Sequence, residues 1–217
     1  MVMEFQHGYA FIMEGDTEKE FYHVFLEHLC KKHNAVLDRI VDIEDPDVSY
    51  ILSMEGKKHI IKFNTVNAMT QIPRSGRWFN TQCVRKYAST LTWDVFLCYD
   101  RDDYANDVSK FYKGDWETLR NSLKRARNIV DMAASADIED IMLGDIENIC
   151  KYLGVEVPDS LSGRKGKAKM KRLFRDNGQI YHEGKRARPV IEALDMNKLI
   201  DKNVVPLKQI EIMMFEK

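Results

Sequence analysis

Cysteine is scarce in this sequence, and its spacing gives no metal clip. The four cysteines, Cys30, Cys83, Cys98 and Cys150, lie far apart, and no Cys-x-x-Cys pair occurs. This spacing disfavours a zinc site and a disulfide framework, so we expect reduced and buried thiols.

Long apolar runs and leader patterns are also missing. No stretch approaches the length of a membrane span, and the start of the chain lacks the basic-then-apolar pattern of a signal peptide. We therefore expect a cytoplasmic protein with no membrane partner. Neither the Gly-x-x-x-x-Gly-Lys-Ser/Thr nor the Gly-x-Gly-x-x-Gly pattern is present, so any ATPase would be a separate protein.

A strong overall charge is absent, but the charge is unevenly distributed. The 217 residues carry a net charge of −1, which gives no global signal for a polyanionic partner. Residues 161–217 hold 14 Lys and Arg against 7 Asp and Glu, whereas residues 1–160 hold 19 against 27. An acidic half and a basic tail fit a protein that handles a metal ion and a phosphate.

The stretch that organises the chain is a short apolar run followed directly by acidic residues. Tyr9–Met13 shows no polar alternation, which is typical of a strand buried on both faces, and Glu14 follows it. A helix over about 17–33 comes next, because Thr17 and Glu20 have the spacing of a capping box. Its apolar face repeats every four residues at Phe21, Phe25 and Leu29.

A second apolar run repeats this arrangement. Val95–Tyr99 leads into Asp100, Arg101, Asp102 and Asp103. If the two strands are neighbours, Glu14, Asp100 and Asp102 converge at the sheet edge where α/β proteins bind ligands. Carboxylates that close raise one another's pKa unless a cation lies between them, and Mg²⁺ or Mn²⁺ suits oxygen ligands. The alternative is that these acids are solvated turn residues.

These two motifs resemble those of the Toprim domain. The Glu-Gly-Asp-Thr-Glu run at 14–18 and the Asp-x-Asp at 100–102 are most similar to the OLD and RloB-like branch of metal-dependent nucleases. The resemblance implies an α/β fold with a mostly parallel, Rossmann-like sheet flanked by helices. It places the catalytic core at residues 1–140, with a hairpin insertion near 48–64, and a basic helical extension at 141–217.

The resemblance also implies a set of site residues. The expected metal ligands are Glu14, Glu18, Asp100, Asp102 and Glu139, and the expected catalytic residues are Glu14, Asp100, Asp102 and Lys185. Glu18 and Glu139 have an alternative explanation, because acids in the first turn of a helix also stabilise its dipole. For Lys185 the alternative is a solvated surface position.

The basic tail predicts contact with a nucleic-acid backbone, since lysine and arginine bind phosphates as point charges. The residues expected to make that contact are Arg164, Lys165, Lys167, Lys169, Lys171 and Arg172. A solvated helix face is the alternative.

Further patterns predict the remaining elements. We expect a strand over 36–42, a hairpin of strands over 48–54 and 59–64, and a strand over 128–132. We expect a polar loop around Pro73 and Gly76, then a helix over 80–91. A helix marked by Trp116 and Leu119 and another that opens near residue 135 and ends at Gly154 should follow.

Together these observations predict a Mg²⁺- or Mn²⁺-dependent nuclease that cuts DNA or RNA. The resemblance implies a role in defence against phage or mobile elements, often beside a separate ATPase subunit. A second possibility is a Toprim module that does not cleave and instead binds nucleic acid or a partner ATPase.

Overall fold

A computed structural model describes residues 4–42, 45–67, 72–100, 113–134, 137–202 and 205–216. The strands are β1 (His7–Met13), β2 (Val36–Asp42), β3 (Asp45–Met54), β4 (Lys57–Thr65), β5 (Trp93–Asp100) and β6 (Ala126–Ala134). The helices are α1 (Asp16–Lys32), α2 (Ile72–Trp78), α3 (Lys113–Ser122), α4 (Ile138–Met142), α5 (Ile146–Leu153), α6 (Gly166–Asp176), α7 (Arg188–Glu192), α8 (Met196–Lys202) and α9 (Leu207–Phe215).

The centre of the sheet is formed by the two apolar runs. The strand order is β2-β3-β4-β1-β5-β6, and β1 pairs in parallel with both β4 and β5. Every residue of β1 is buried, and the Phe11 ring lies 4.7 Å from that of Phe96 and 5.2 Å from that of Phe63. The prediction that the two runs form central, parallel strands is therefore confirmed, and their carboxyl ends lie at the same edge.

The remaining strands of this side join the sheet through a hairpin. β3 and β4 pair antiparallel around a turn at Glu55 and Gly56, and β2 pairs antiparallel with β3. The hairpin predicted near Gly56 is confirmed. The predicted α/β class, with parallel strands at the sheet centre and helices after the sheet, is also confirmed.

The chain forms two compact units that alternate along the sequence. The first contains β1–β4, α2, α3 and most of β5 and β6. The second contains most of α1, the ends of β5 and β6, and all helices from α4 to α9. The predicted division at residue 140 stays a prediction.

The predicted loop around Pro73 and Gly76 is wrong, because α2 covers both residues. Pro73 lies in the first turn, where a helix does not need the missing N–H. Gly76 lies against α3, and a Cβ placed there would be 2.3 Å from Ser122 Oγ. The glycine thus reflects close helix packing.

The predicted helix over 80–91 is wrong in its second half. A π-helical segment, Phe79–Arg85, continues α2, and the chain from Lys86 to Thr92 is not helical. Lys62 is fully buried and donates to the Gln82 carbonyl oxygen at 3.1 Å. A π-helix leaves carbonyl groups available to such donors, a feature that residue spacing does not reveal.

The predicted capping box at the start of α1 is also wrong. Gly15 is the N-cap residue in an extended conformation, so Thr17 lies inside the helix. Glu20 faces Arg188 of α7, with 3.7 Å between the charged groups, and Arg188 also donates to Glu27 at 2.6 Å. The acid at position 20 belongs to an ion-pair cluster.

The helix predicted from residue 135 is interrupted. A 3₁₀ turn separates α4 from α5 at Asp145, which is fully buried. Its carboxylate accepts hydrogen bonds from Asp195 N–H at 2.8 Å, Lys198 at 2.8 Å and Asn148 at 2.7 Å. The predicted end of α5 at Gly154 is confirmed, because Gly154 has a left-handed φ of 73°.

All four cysteines are buried, which confirms that prediction. Among the described segments, none of the helices has both the length and the apolar character that crossing a bilayer requires.

Candidate functional site

The two acidic motifs lie at the carboxyl ends of neighbouring strands. Glu14 follows β1 directly, and its N–H donates to the Cys98 carbonyl oxygen of β5 at 2.9 Å. Asp100 is the last residue of β5 and is partly buried. Asp102 lies outside the described residues, so its role stays a prediction. The strand pairing agrees with the expected placement of Glu14 and Asp100 at one edge of the sheet.

Two glutamates of the second unit form a buried acidic pair. Glu18 lies in the first turn of α1 and is 7% exposed, and Glu139 lies in the first turn of α4 and is 0% exposed. Helix-dipole stabilisation does not require such burial, so this alternative leaves the depth of Glu139 unexplained.

The two oxygens of the Glu139 carboxyl group have different surroundings. The Tyr181 hydroxyl donates to Oε1 at 2.9 Å. Oε2 is buried and has no hydrogen-bond partner among the residues that the structure describes. A buried carboxylate oxygen without a partner is costly unless it is protonated or contacts a cation.

Burial raises the pKa of Glu139 to about 7, and the nearby carboxylates of Asp137 and Glu18 raise it further. Lys167 and the Tyr181 hydroxyl act in the opposite direction. The group therefore exchanges its proton near neutral pH, where either a proton or a cation can satisfy Oε2.

Asp137 holds the helices that carry this site. Its Oδ1 accepts from Asp140 N–H at 3.2 Å, which caps α4, and its Oδ2 accepts from Lys167 N–H at 2.9 Å, which caps α6. Gly166 permits the close approach, because a Cβ there would be 2.3 Å from both Asp137 Oδ1 and Asp140 N. One carboxylate thus fixes the position of Lys167 relative to Glu139.

We expect Gly166→Ala to destabilise the protein by about 3 kcal/mol, since its methyl group would meet backbone atoms that have no free space to move into. Gly154→Ala is a suitable comparison because nothing lies within 4 Å of its added Cβ. Only the left-handed backbone should penalise that variant, by about 1 kcal/mol. Urea unfolding of both variants measures the difference, and equal losses would contradict the close approach at Gly166.

The predicted basic residues differ in their surroundings. Lys167 and Lys171 both contact the Glu183 carboxylate, at 3.0 Å and 2.6 Å. Lys169 lies 3.9 Å from Asp140. Of the other three, Arg172 pairs with Asp176 at 2.7 Å, Arg164 is exposed and Lys165 is partly buried.

Lys167 is the cation that faces the buried acids. Burial lowers its pKa, but Glu139, Glu183 and Glu18 outweigh that effect and raise it. Lys185, for which a catalytic role is predicted, is exposed. Sequence reasoning missed Lys167 as a site residue because it lies in a run of similar basic residues.

Sequence reasoning also missed Tyr181 and Glu183. The signal available was the polar segment 181–185 between two apolar helices, which contains an aromatic hydroxyl and a carboxylate. The structure shows that Tyr181 is buried against Glu139 and that Glu183 pairs with two lysines.

A separate charged cluster in the first unit is different in kind. Asp94 is fully buried and accepts from Arg127 Nε at 3.0 Å and from Asn128 at 2.9 Å, and His7 Nε2 lies 3.0 Å from its Oδ2. Burial opposes ionisation, yet these contacts hold the pKa of Asp94 well below its usual range. Because both oxygens have cationic or amide partners, this cluster is a structural ion pair.

Comparisons with known proteins identify no family. No protein-family model and no curated protein matches the chain. Among solved structures, a point mutant of peptidyl-tRNA hydrolase from Acinetobacter baumannii is 10% identical, with a TM-score of 0.35, and the match covers 97% of this chain and 90% of that one. A 5′-methylthioadenosine/S-adenosylhomocysteine nucleosidase from Helicobacter pylori is 8% identical, with a TM-score of 0.32 and coverage of 92% and 100%. Both names are those of hydrolytic enzymes, but at these TM-scores the likeness carries no argument about function.

Proposed function

We propose that this protein is a Mg²⁺- or Mn²⁺-dependent phosphodiesterase that hydrolyses nucleic acid. The observation that carries the proposal is the buried Glu139 carboxyl group, which has one oxygen without a partner and a second buried glutamate, Glu18, nearby. Oxygen ligands of this type suit a hard divalent cation.

The residues present fit a metal ion. Glu139 and Glu18 are carboxylates that protein surroundings leave short of compensating charge, and Glu14 and Asp100 supply further carboxylates at the ends of β1 and β5. A bound cation would polarise a phosphoryl oxygen and favour deprotonation of the attacking water. With Asp102, these residues form the proposed ligand set.

The chain's own residues would position the substrate and exclude water. Tyr181 keeps the Glu139 carboxyl group in one orientation through its hydroxyl. Lys167 supplies positive charge beside the acids, where it would offset the negative charge that develops on a phosphodiester during hydrolysis. In the reaction, the water oxygen bonds to phosphorus, the phosphorus–oxygen bond to the leaving nucleotide breaks, and the leaving oxygen takes up a proton.

The proposed biological setting rests on the resemblance alone. A nuclease of this type would act in defence against phage or mobile elements and would pair with a separate ATPase subunit. A module that binds nucleic acid without cleaving it is the alternative, and metal-dependent cleavage separates the two.

The test is a cleavage assay on single- and double-stranded DNA and RNA, with the purified full chain. We expect products with Mg²⁺ or Mn²⁺, and none when EDTA is present or when Glu139 is replaced by glutamine. A Glu156→Gln variant, altered at an exposed acid, should keep full activity. Cleavage that persists in EDTA would contradict the proposal, and metal-independent binding without cleavage would favour the alternative.

A further inference from the structure

The segment that carries Glu183 is fixed at both sides. Two residues before it, the buried Tyr181 donates to Glu139, and directly after it the Gly184 N–H donates to Thr17 Oγ1 at 2.9 Å. Gly184 has a φ of 62°, a conformation that glycine adopts without strain. These anchors position the Glu183 side chain independently of its own charge contacts.

The Glu183 carboxylate lies between two lysines of α6. Its Oε2 is 3.0 Å from Lys167 Nζ, and its Oε1 is 2.6 Å from Lys171 Nζ. The lysines are four residues apart and therefore lie on the same helix face. Burial raises the pKa of Glu183, but hydrogen bonds from Lys171 and Lys167 outweigh this effect and lower it.

A phosphate group would use the same two cations in the same way. Two unesterified oxygens of a backbone phosphodiester can each contact one ammonium group, as the two carboxylate oxygens do here. We propose that Lys167 and Lys171 bind one backbone phosphate of a nucleic acid, and that Glu183 occupies this site in the free protein until the phosphate displaces it.

The site lies beside the proposed catalytic acids. Lys167 interacts electrostatically with Glu139 and Glu18 as well as with Glu183. A phosphate that replaced Glu183 would therefore be held next to the buried carboxylates proposed to bind metal. The inference rests on the proposed function for its ligand, a nucleic acid, but not on cleavage.

The proposal separates residues that the sequence treated alike. Lys169 and Arg172 lie on the same helix but contact Asp140 and Asp176. Only the pair at 167 and 171 shares one carboxylate between two cations among the described basic residues of α6. The sequence gave no reason to prefer this pair.

The first experiment measures binding of a fluorescent single-stranded oligonucleotide to the full chain in EDTA, so that cleavage cannot contribute. Glu183→Gln should bind on the order of tenfold more tightly at low salt, because two part-exposed ion pairs no longer compete with the phosphate. Glu192→Gln, an exposed acid that pairs with Arg188 instead, should bind as the natural protein does.

The second experiment measures the salt dependence. The double variant Lys167→Ala/Lys171→Ala should lower the slope of log K against log salt by about 1.4, since each lost contact to a single strand removes about 0.7. Lys151→Ala/Arg175→Ala removes the same charge from exposed positions and should leave the slope unchanged.

The outcomes distinguish this inference from the proposed function. Unchanged or weaker binding by Glu183→Gln, with metal-dependent cleavage intact, overturns the inference and leaves the nuclease proposal standing. Equal slopes in the two double variants also overturn it. A natural protein that neither binds nor cuts nucleic acid overturns both.

Discussion

Glu139→Gln should stabilise the protein by about 3 kcal/mol at about pH 8 and change its stability little at about pH 4. Burial raises the pKa of this group to about 7 from the ordinary value of 4.5, so the folded protein holds the proton more tightly than the unfolded chain does. The stabilisation from the protonated group is complete below about pH 4.5 and is lost as the pH rises to about 7. Glutamine keeps an acceptor for Tyr181 and never ionises.

Urea unfolding of both proteins across this pH range checks the prediction. The natural protein should lose stability between about pH 4.5 and 7 relative to the variant, and the difference should be constant above that range. Glu156→Gln serves as the control because Glu156 is exposed. If the Glu139→Gln and Glu156→Gln curves coincide, the raised pKa is wrong.

Metal ions should act on the same group. Saturating Mg²⁺ at about pH 8 should stabilise the natural protein, because an ion that binds only the folded state shifts the unfolding equilibrium. The Glu139→Gln protein should gain much less, since it lacks one of the proposed ligands. Equal gains in both proteins would remove Glu139 from the ligand set.

The sheet was predictable because its central strands carry a pattern with one interpretation. Tyr9–Met13 and Val95–Tyr99 are apolar without alternation, and a strand buried on both faces is the structure that such a short run favours. The acids that follow them were predictable for the same reason, because the strand ends fix their place in the chain. Helix boundaries were less predictable, as Pro73 shows, since proline is tolerated in a first turn.

The surroundings of Glu139 were not predictable from sequence. Its depth depends on Asp137, which caps two helices, and on Gly166, which lets them approach. Tyr181 reaches it from 42 residues away in the chain. Contacts of this range leave no periodic signal, so position alone placed Glu139 in the predicted site, without its burial or its partner.

Asp100→Asn should abolish cleavage while leaving the fold intact. Asp100 ends β5, beside the strand that leads into Glu14, and asparagine keeps nearly the same shape without the charge. In EDTA we expect the free energy of unfolding to change by less than about 1 kcal/mol, or to rise as repulsion between carboxylates falls.

Activity should respond far more strongly than stability. Loss of a residue that only orients a metal ligand costs about 10- to 100-fold, so loss of a ligand itself should lower kcat/KM by at least about 100-fold. Metal affinity, measured by calorimetry, should fall together with cleavage. Asp159→Asn makes the same chemical change at an exposed position and should cut normally. If Asp100→Asn retains cleavage within about tenfold of the natural protein, the carboxylates at the sheet edge do not hold the metal, and the reaction belongs to another part of the chain.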